Sequence, residues 1–169
     1  GDLMLEGGQK QYYHVRDMAI IGVAEVVKHL PYIYKVFRKL VDAAQQRQPN
    51  VIVLIDYPGF NLRIGKKLKS LGFKVFYFIA PQVWAWHQSR AKKMASFIDR
   101  MAVLFDFEVD FFSKYGIDTH HVGHPLVDGL QVKISRGEFL NEFNLKGDQP
   151  ILALLPGSRK QEIENLKSA

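Results

Sequence analysis

Residues 51–61 read VIVLIDYPGFN, a short apolar run that stops at an acid and then turns. Five apolar, mostly β-branched residues in succession predict a strand buried on both faces, as in the interior of a parallel sheet. Pro58 and Gly59 then turn the chain toward a helix, which we expect Asn61 to cap. Asp56 would therefore lie at the carboxyl end of a central strand, where open α/β sheets bind their ligands. Asp56 is the first candidate for chemistry, and the alternative is an acid that only caps the turn.

Apolar runs and helical patterns alternate along the rest of the chain. They predict helices over 61–71, 89–98 and 108–115 and strands over 73–80, 101–105 and 119–122. Such alternation is typical of a parallel sheet wrapped by helices on right-handed crossovers. We therefore predict an α/β domain with a parallel sheet flanked by helices over 1–130 and a polar linker over 131–148. A further strand over 151–155 and a helix from about Lys160 would start a second domain over 149–169.

Composition excludes several classes of protein. The chain has 169 residues, 47% of them apolar, which excludes a disordered chain. No apolar run approaches the roughly 18–20 residues that cross a bilayer, and we expect no secretion signal. The absence of cysteine excludes disulfides and thiolate metal sites. Residues 60–100 hold nine Lys or Arg but one acid, Asp99, which indicates either an anionic partner or a solvated lysine face.

A mixed apolar and aromatic segment precedes the central strand. From Tyr32 onward the apolar residues recur at helical spacing. The segment 26–34 places apolar and aromatic side chains beside basic residues, a composition suited to the headgroup layer of a membrane. The alternative is an ordinary core position. The candidate membrane contacts are Val26, Val27, Leu30, Ile33 and Tyr34.

Two further loops follow predicted strands. Residues 81–87, PQVWAWH, contain both tryptophans of the chain, which could stack on a sugar or base or could pack the sheet edge. His124 follows a glycine at the end of the fourth predicted strand and is a candidate for a hydrogen bond to a substrate. His120 and His121 lie nearby, but no cysteine or well-spaced carboxylate joins them. We expect no metal site there, and we expect His121 to point inward.

The sequence PGSR, residues 156–159, lies between the last predicted strand and a helix. A helix N-terminus offers free N–H groups and the positive end of a dipole, both suited to phosphate. Arg159 could add a bidentate contact to such an anion. The chain contains no Walker loop, no G-x-G-x-x-G and no G-x-S-x-G motif.

Four stretches together resemble lipid-A-disaccharide synthase: IDYPGFN at 55–61, PQVWAW at 81–86, VGHPL at 122–126 with Asp128, and LLPGSRKQE at 154–162. They occur in the order and spacing of that family and cover nearly the whole chain. The resemblance implies the GT-B fold, in which two Rossmann-like domains face each other across a cleft. It implies a cytoplasmic enzyme, peripherally associated with the inner membrane, of lipopolysaccharide biosynthesis. Such enzymes join UDP-2,3-diacylglucosamine to 2,3-diacylglucosamine 1-phosphate, release UDP and invert the anomeric centre.

The resemblance also implies roles for individual residues. It places Asp56 at the proposed general base and Arg159 at an active-site arginine. We assign substrate binding to Asn61, Gln82, Trp84, His124, Gly157 and Ser158. The UDP-sugar is a substrate, so no metal or other cofactor is expected, and neither is nucleic acid. The apolar surface over 26–34 would hold the cleft against anionic lipid; the sequence assigns no oligomeric state.

The chain departs from the family pattern at both ends and at His87. The family's C-terminal domain, to which the resemblance assigns most UDP contacts, is absent beyond Ala169. The family's Gly-Glu-Thr-Ser-Gly-Asp turn is absent, at most Gly1-Asp2 being its tail, and His87 stands where arginine is common. We therefore expect an incomplete chain that is inactive by itself. Two other functions stay open: a non-catalytic basic α/β module that binds phosphate or nucleic acid, and a GT-B transferase with a soluble acceptor.

Overall fold

The computed structural model describes residues 1–18, 23–86, 88–147, 150–157, 163, 164 and 166, without the side chains of 15, 18 and 23–28. Contacts within the chain divide it into two units, residues 1–127 and 128–169.

The first unit is built on a four-stranded parallel sheet in the order β1-β2-β3-β4. In β1 and β2, Ile52 lies opposite Val75 and Ile55 opposite Phe78. The predicted α/β class with a parallel sheet flanked by helices is confirmed. The strands are β1 Ile52–Ile55, β2 Val75–Phe78, β3 Arg100–Val103 and β4 Asp118–His121.

The prediction that β1 is buried on both faces is wrong for the described sheet. Leu54 is buried, whereas Val53 is 50% and Ile55 41% exposed. The reason is position: in the described part of the chain β1 pairs with β2 alone and lies at the sheet edge. Apolar composition alone does not distinguish an edge strand with one uncovered face from a central one.

The four helices predicted for this part of the chain are formed at or near their positions, but two begin earlier. Four short helices, at residues 2–6, 15–18, 83–86 and 125–129, were not predicted, and the third of these lies in the predicted loop 81–87. The helix predicted from Tyr32 begins at Val23 and continues through Pro31. The helix predicted from Asn61 begins at Pro58, because the fixed φ of proline suits the first helical position. The helices are α1 Asp2–Glu6, α2 Val15–Met18, α3 Val23–Arg47, α4 Pro58–Ser70, α5 Val83–Trp86, α6 Ser89–Met94 and α7 Phe107–Ser113, and α8 Pro125–Gly129 spans the unit boundary.

The core lies between the sheet and the helices that cover it. Its fully buried side chains include Tyr77, Phe112, Met94, Met101, Val75 and Val103. Helix α4 packs closely on β1, since a Cβ on Gly65 would lie 2.7 Å from Leu54 Cδ1. This close packing fixes the start of α4, and with it the turn that follows β1.

The second unit differs from its prediction in two places. The predicted linker contains helix α9, Arg136–Glu142, which begins with a reciprocal capping box between Ser135 and Glu138. The predicted strand over 151–155 is not formed; Leu152, Leu154 and Leu155 are 81–92% exposed. In the described residues this run has no neighbouring strand to pair with, and an apolar run without a partner cannot satisfy a strand's backbone groups. The helix predicted from Lys160 falls mostly outside the described residues.

Candidate active site

The carboxyl edge of the sheet gathers the loops that follow the four strands. Because the strands are parallel, all four loops leave the same edge. The loop after β1 carries Asp56, the loop after β2 carries Gln82, the loop after β3 carries Phe105 and the loop after β4 carries His124. Candidate residues predicted from distant stretches of sequence are thus brought to one edge.

The turn at Asp56 has an unusual backbone. Asp56 has φ of 45° and Tyr57 φ of 42°, both in the left-handed region that residues with a Cβ seldom adopt. Each such residue costs about 1–3 kcal/mol, which the surroundings must offset. The side chain of Asp56 is exposed. The conformation therefore turns the chain sharply from β1 into α4 and leaves this acid at the edge of the sheet.

Three hydrogen bonds hold the backbone N–H and carbonyl of Asp56. The Asp56 N–H donates to Phe78 O at 2.9 Å. The Tyr77 hydroxyl donates to Asp56 O at 2.7 Å, and Asn61 Nδ2 donates to the same oxygen at 2.7 Å and to Ile55 O at 2.9 Å. Burial raises the pKa of the Tyr77 hydroxyl, and the negative charge of Asp56 raises it further. Tyr77 therefore remains a hydrogen-bond donor at any physiological pH.

The role predicted for Asn61 as a helix cap is wrong. The residue that precedes α4 is Tyr57, without a capping hydrogen bond from its side chain. Asn61 lies inside the first turns of α4, and its side-chain amide points back to the end of β1. Its two hydrogen bonds connect α4 to the last residue of β1 and to the turn that follows β1.

The loops after β2 and β3 are joined through a buried carboxylate. Glu108 is 3% exposed; its Oε1 accepts from Trp84 Nε1 at 3.0 Å and its Oε2 from the Phe105 N–H at 3.1 Å. Trp84 packs edge-to-face on Phe107, with ring centroids 5.0 Å apart, whereas Trp86 is 83% exposed. The polar edge of Trp84 is thus engaged inside the protein, and Trp86 is the more exposed of the two tryptophans.

The histidines lie at the end of β4. His124 is half-buried, its Nδ1 accepts from the Leu126 N–H at 3.2 Å, and its ring centroid lies 6.0 Å from that of Phe105. His120 Nε2 lies 2.7 Å from Asp118 Oδ1. His121 is exposed, so the prediction that it points inward is wrong; Thr119 is the buried residue of β4. Within the described ranges no group of three or more His, Asp or Glu could hold a metal ion.

The candidate membrane contacts lie on α3. Leu30 is 51% and Tyr34 62% exposed, while Ile33 packs partly against the core. Val26 and Val27 belong to α3 by their backbone, but their side chains lie outside the described residues. Among the helices described, none is long and apolar enough to cross a membrane.

The predicted phosphate loop is described only up to its glycine. Gly157 has φ of 111°, which favours glycine there. Ser158 and Arg159 lie outside the described residues, as does His87.

Sequence reasoning missed two residues of this edge, Tyr77 and Glu108. Tyr77 is a polar side chain within an otherwise apolar run, and a buried tyrosine needs a hydrogen-bond partner. That rule could have singled out Tyr77 but not Glu108, which stands between two other acids, Asp106 and Asp110. It could not have named their partners, which are 21 and 24 residues away in the chain.

Comparison with known proteins gives one consistent result. A family described as lipid-A-disaccharide synthetase matches residues 1–169. The chain is similar to the lipid-A-disaccharide synthase of Trichlorobacter lovleyi, with 42% identity over 166 residues that cover 98% of this chain and 43% of the relative. The enzyme of that name from Coxiella burnetii is 40% identical over 166 residues, and that from Geobacter metallireducens 42% over the same length. The chain spans less than half of each relative, 43–44% of its length.

Proposed function

The chain belongs to the lipid-A-disaccharide synthetase family, and we propose that the protein joins UDP-2,3-diacylglucosamine to 2,3-diacylglucosamine 1-phosphate in lipid A biosynthesis. The observation that carries the proposal is the exposed Asp56 on its strained, hydrogen-bonded turn at the carboxyl edge of the sheet. Strain of this kind clusters at functional sites. The family resemblance assigns the general base to this residue.

We propose that Asp56 takes the proton of the acceptor's 6-hydroxyl as that oxygen attacks the anomeric carbon of the donor. The new C–O bond forms on the face opposite UDP, the bond from the anomeric carbon to the diphosphate oxygen breaks, and UDP leaves. An α-linked donor thus gives a β-1,6 product. A general base must lie within hydrogen-bond reach of the proton that it removes. The carbonyl of Asp56 is fixed by Tyr77 and Asn61, which limits the positions open to its carboxylate.

For the leaving group we propose the loop at Gly157, Ser158 and Arg159. Backbone N–H groups at the start of a helix and an arginine can carry the charge that develops on a diphosphate. We propose that no metal or organic cofactor takes part, since these groups can do that work. For Ser158 and Arg159 the assignment rests on the resemblance. A chelator should leave turnover unchanged, and a loss restored by a divalent metal would contradict this part.

Gln82, Trp84 and His124 are the remaining proposed substrate contacts. Gln82 is exposed at the end of β2, and His124 presents its ring beside Phe105. Since Trp84 gives its N–H to Glu108, we propose that it contacts the substrate through its ring face only.

The substrates carry acyl chains, and we propose that the protein meets them at the cytoplasmic face of the inner membrane. Leu30 and Tyr34 are exposed on α3, and Lys35, Arg38 and Lys39 follow on the same helix. An apolar patch beside lysines and arginines suits an anionic bilayer surface. Because Ile33 is partly buried against the core, we propose that it contacts the membrane less than Leu30 and Tyr34 do.

The transfer reaction is tested with the protein at its full natural length. Both acylated substrates are supplied in mixed micelles, and disaccharide and UDP are quantified. We expect equimolar formation of the two products, with a requirement for acyl chains on the substrates. UDP release without disaccharide, or equal turnover of deacylated substrates, would contradict the proposed reaction and favour a transferase with a soluble acceptor.

Membrane association is tested by flotation with liposomes that contain anionic or only zwitterionic lipid. We expect Leu30→Ser with Tyr34→Ser to reduce binding to anionic liposomes, because both exposed apolar side chains leave the patch. The matched control is Leu130→Ser with Val132→Ser, a pair that is 81% and 91% exposed elsewhere in the chain. Equal binding of both double variants and wild type would refute the assignment of this surface.

A further inference from the structure

An apolar groove of about 590 Å³ lies between α3 and α4, directly beside the Asp56 turn. Its size is within the range of small-molecule sites, roughly 300–1,000 Å³. Leu30, Ile33 and Phe37 line it from α3, and Tyr57, Gly59 and Phe60 line it from the turn and α4. The Phe60 ring contacts Phe37 edge-to-face at 6.0 Å and lies 6.2 Å from the Tyr57 ring. The walls are thus mainly aromatic and aliphatic.

Cationic side chains line this groove and a depression next to it. Arg63 lines the groove itself, and its guanidinium donates to Gly59 O. Tyr34 lines the groove and also an adjacent depression that is lined by three cations, Lys35, Arg38 and Lys39, and one acid, Asp42. An apolar groove beside a surface of net positive charge complements an amphiphile that has a hydrocarbon chain and an anionic head.

We propose that this groove binds an acyl chain of the sugar-phosphate acceptor. The inference rests on the proposed function, which supplies acylated substrates. The groove shares its wall with the turn that carries Asp56: Tyr57, Gly59 and Phe60 follow that acid directly. A base that takes the proton of the acceptor hydroxyl must have the acceptor next to it. The chain that enters the adjoining groove is therefore the acceptor's, and not the donor's.

Gly59 is a lining residue that can be replaced by a larger one without a steric clash. It is the second residue of α4, and a Cβ built on it meets nothing within 4 Å. A larger side chain there does not push on packed atoms. Because Gly59 lines the groove, we expect such a side chain to reduce the length of hydrocarbon that the groove accepts.

The test is acyl-chain selectivity in Gly59→Leu and Gly59→Trp, with the protein at its full natural length. Gly137→Leu and Gly137→Trp are the matched controls: Gly137 is likewise the second residue of a helix, α9, and a Cβ there meets only Ser135 Oγ at 4.0 Å. The acceptor chains are varied from butanoyl to hexadecanoyl with a fixed donor, and the donor chains are then varied with a fixed acceptor. Mixed micelles keep bilayer binding out of the measurement.

We expect wild-type kcat/KM to rise with acceptor chain length and Gly59→Trp to flatten that rise. The loss for the longest acceptor should be at least about tenfold, as expected when about two methylenes leave an apolar site. Gly59→Leu should give an intermediate profile, and the Gly137 variants the wild-type profile. Circular dichroism and thermal unfolding establish that each variant is folded.

Three results with the Gly59 variants would overturn the inference. The first is a loss of kcat/KM that is equal at every acceptor chain length, and the second is a change in kcat/KM that follows donor chain length. The third is weaker binding to liposomes while the dependence of kcat/KM on acceptor chain length stays as in wild type. The last would mean that the groove takes a bilayer lipid. Absence of turnover by wild type is the separate failure of the proposed function. In that case calorimetry with dodecyl phosphate decides: binding that Gly59→Trp abolishes supports the groove as an acyl site, and no binding by wild type refutes it.

Discussion

Replacement of Tyr77 by phenylalanine removes one hydroxyl from the buried side of the Asp56 turn and changes little else in shape. Tyr77 is fully buried and donates to Asp56 O at 2.7 Å. A typical hydrogen bond contributes about 0.5–1.5 kcal/mol to stability. Asn61 still donates to the same oxygen, so the carbonyl keeps a partner. We therefore expect Tyr77→Phe to lower the free energy of unfolding by about 1 kcal/mol.

The same substitution should cost more when Asn61 is absent. In an Asn61→Ala background, Tyr77→Phe removes the last side-chain donor that the described residues give to Asp56 O, at about 2 kcal/mol or more. The coupling between the two positions should thus be about 1 kcal/mol, as for residues that share one acceptor. The two substitutions together remove interactions comparable to the roughly 1–3 kcal/mol cost of each left-handed residue.

Urea unfolding of the four proteins of this double-mutant cycle measures the effect. A loss of about 1 kcal/mol moves the midpoint by roughly 0.5 M at an unchanged slope. Tyr115→Phe is the control, since Tyr115 is partly buried and the described residues offer its hydroxyl no hydrogen bond. Strict additivity of the two substitutions, or equal losses from Tyr77→Phe and Tyr115→Phe, would refute the view that Tyr77 and Asn61 jointly hold the turn.

Three further predictions concern the framework around the site. Glu108→Gln replaces one acceptor oxygen by an NH₂ group, which cannot accept a hydrogen bond from Trp84 or the backbone. We therefore expect the free energy of unfolding to fall by about 1–3 kcal/mol, as measured by thermal unfolding, and the tryptophan fluorescence of the folded protein to change. An unchanged free energy of unfolding and an unchanged fluorescence would contradict the buried contact. Burial opposes ionisation of Asp99, but hydrogen bonds from a lysine and a backbone N–H outweigh it and lower its pKa; its stabilisation is present above its unfolded pKa of about 3.9 and is lost as the pH falls from there through its lower folded pKa. Urea midpoints of wild type and Asp99→Asn should therefore differ at pH 7 and converge as the pH falls below about 4; a gap that persists would argue against the ion pair. Gly65→Ala puts a Cβ 2.7 Å from Leu54 Cδ1 and should lower the free energy of unfolding by about 1–3 kcal/mol, whereas Gly59→Ala should not, as thermal unfolding would show.

Much of the fold could be predicted because it depends on periodicity. Apolar runs and helical spacing predict four parallel strands and the helices between them, and the strand-end rule places Asp56, Gln82 and His124 at one edge. The first residue of each helix was harder to predict. Helical spacing of apolar residues predicted a start at Tyr32, yet α3 begins at Val23 and Pro31 lies inside it. Packing of its apolar residues on the core, Val36 and Val41 among them, outweighs the one hydrogen bond that proline cannot make.

What the sequence could not predict depends on contacts between distant residues. Nothing local shows that Val53 faces an uncovered side of the sheet, because that depends on which strands lie beside β1. Nothing near Asn61 distinguishes a helix cap from a side chain that reaches back to β1. The partners of Tyr77 and Glu108 are set by the order of the strands, which becomes known only when the sheet is assembled.

The most direct test of the central claim is Asp56→Asn, measured in a single turnover with the protein at its full natural length. The amide keeps the shape of the side chain and cannot take a proton. We predict that disaccharide formation falls by at least about a hundredfold, the usual contribution of a general base, while UDP-sugar binding and the urea midpoint stay at wild-type values. Disaccharide formation at the wild-type rate by a folded variant that binds the donor would contradict the assignment of Asp56 as the base.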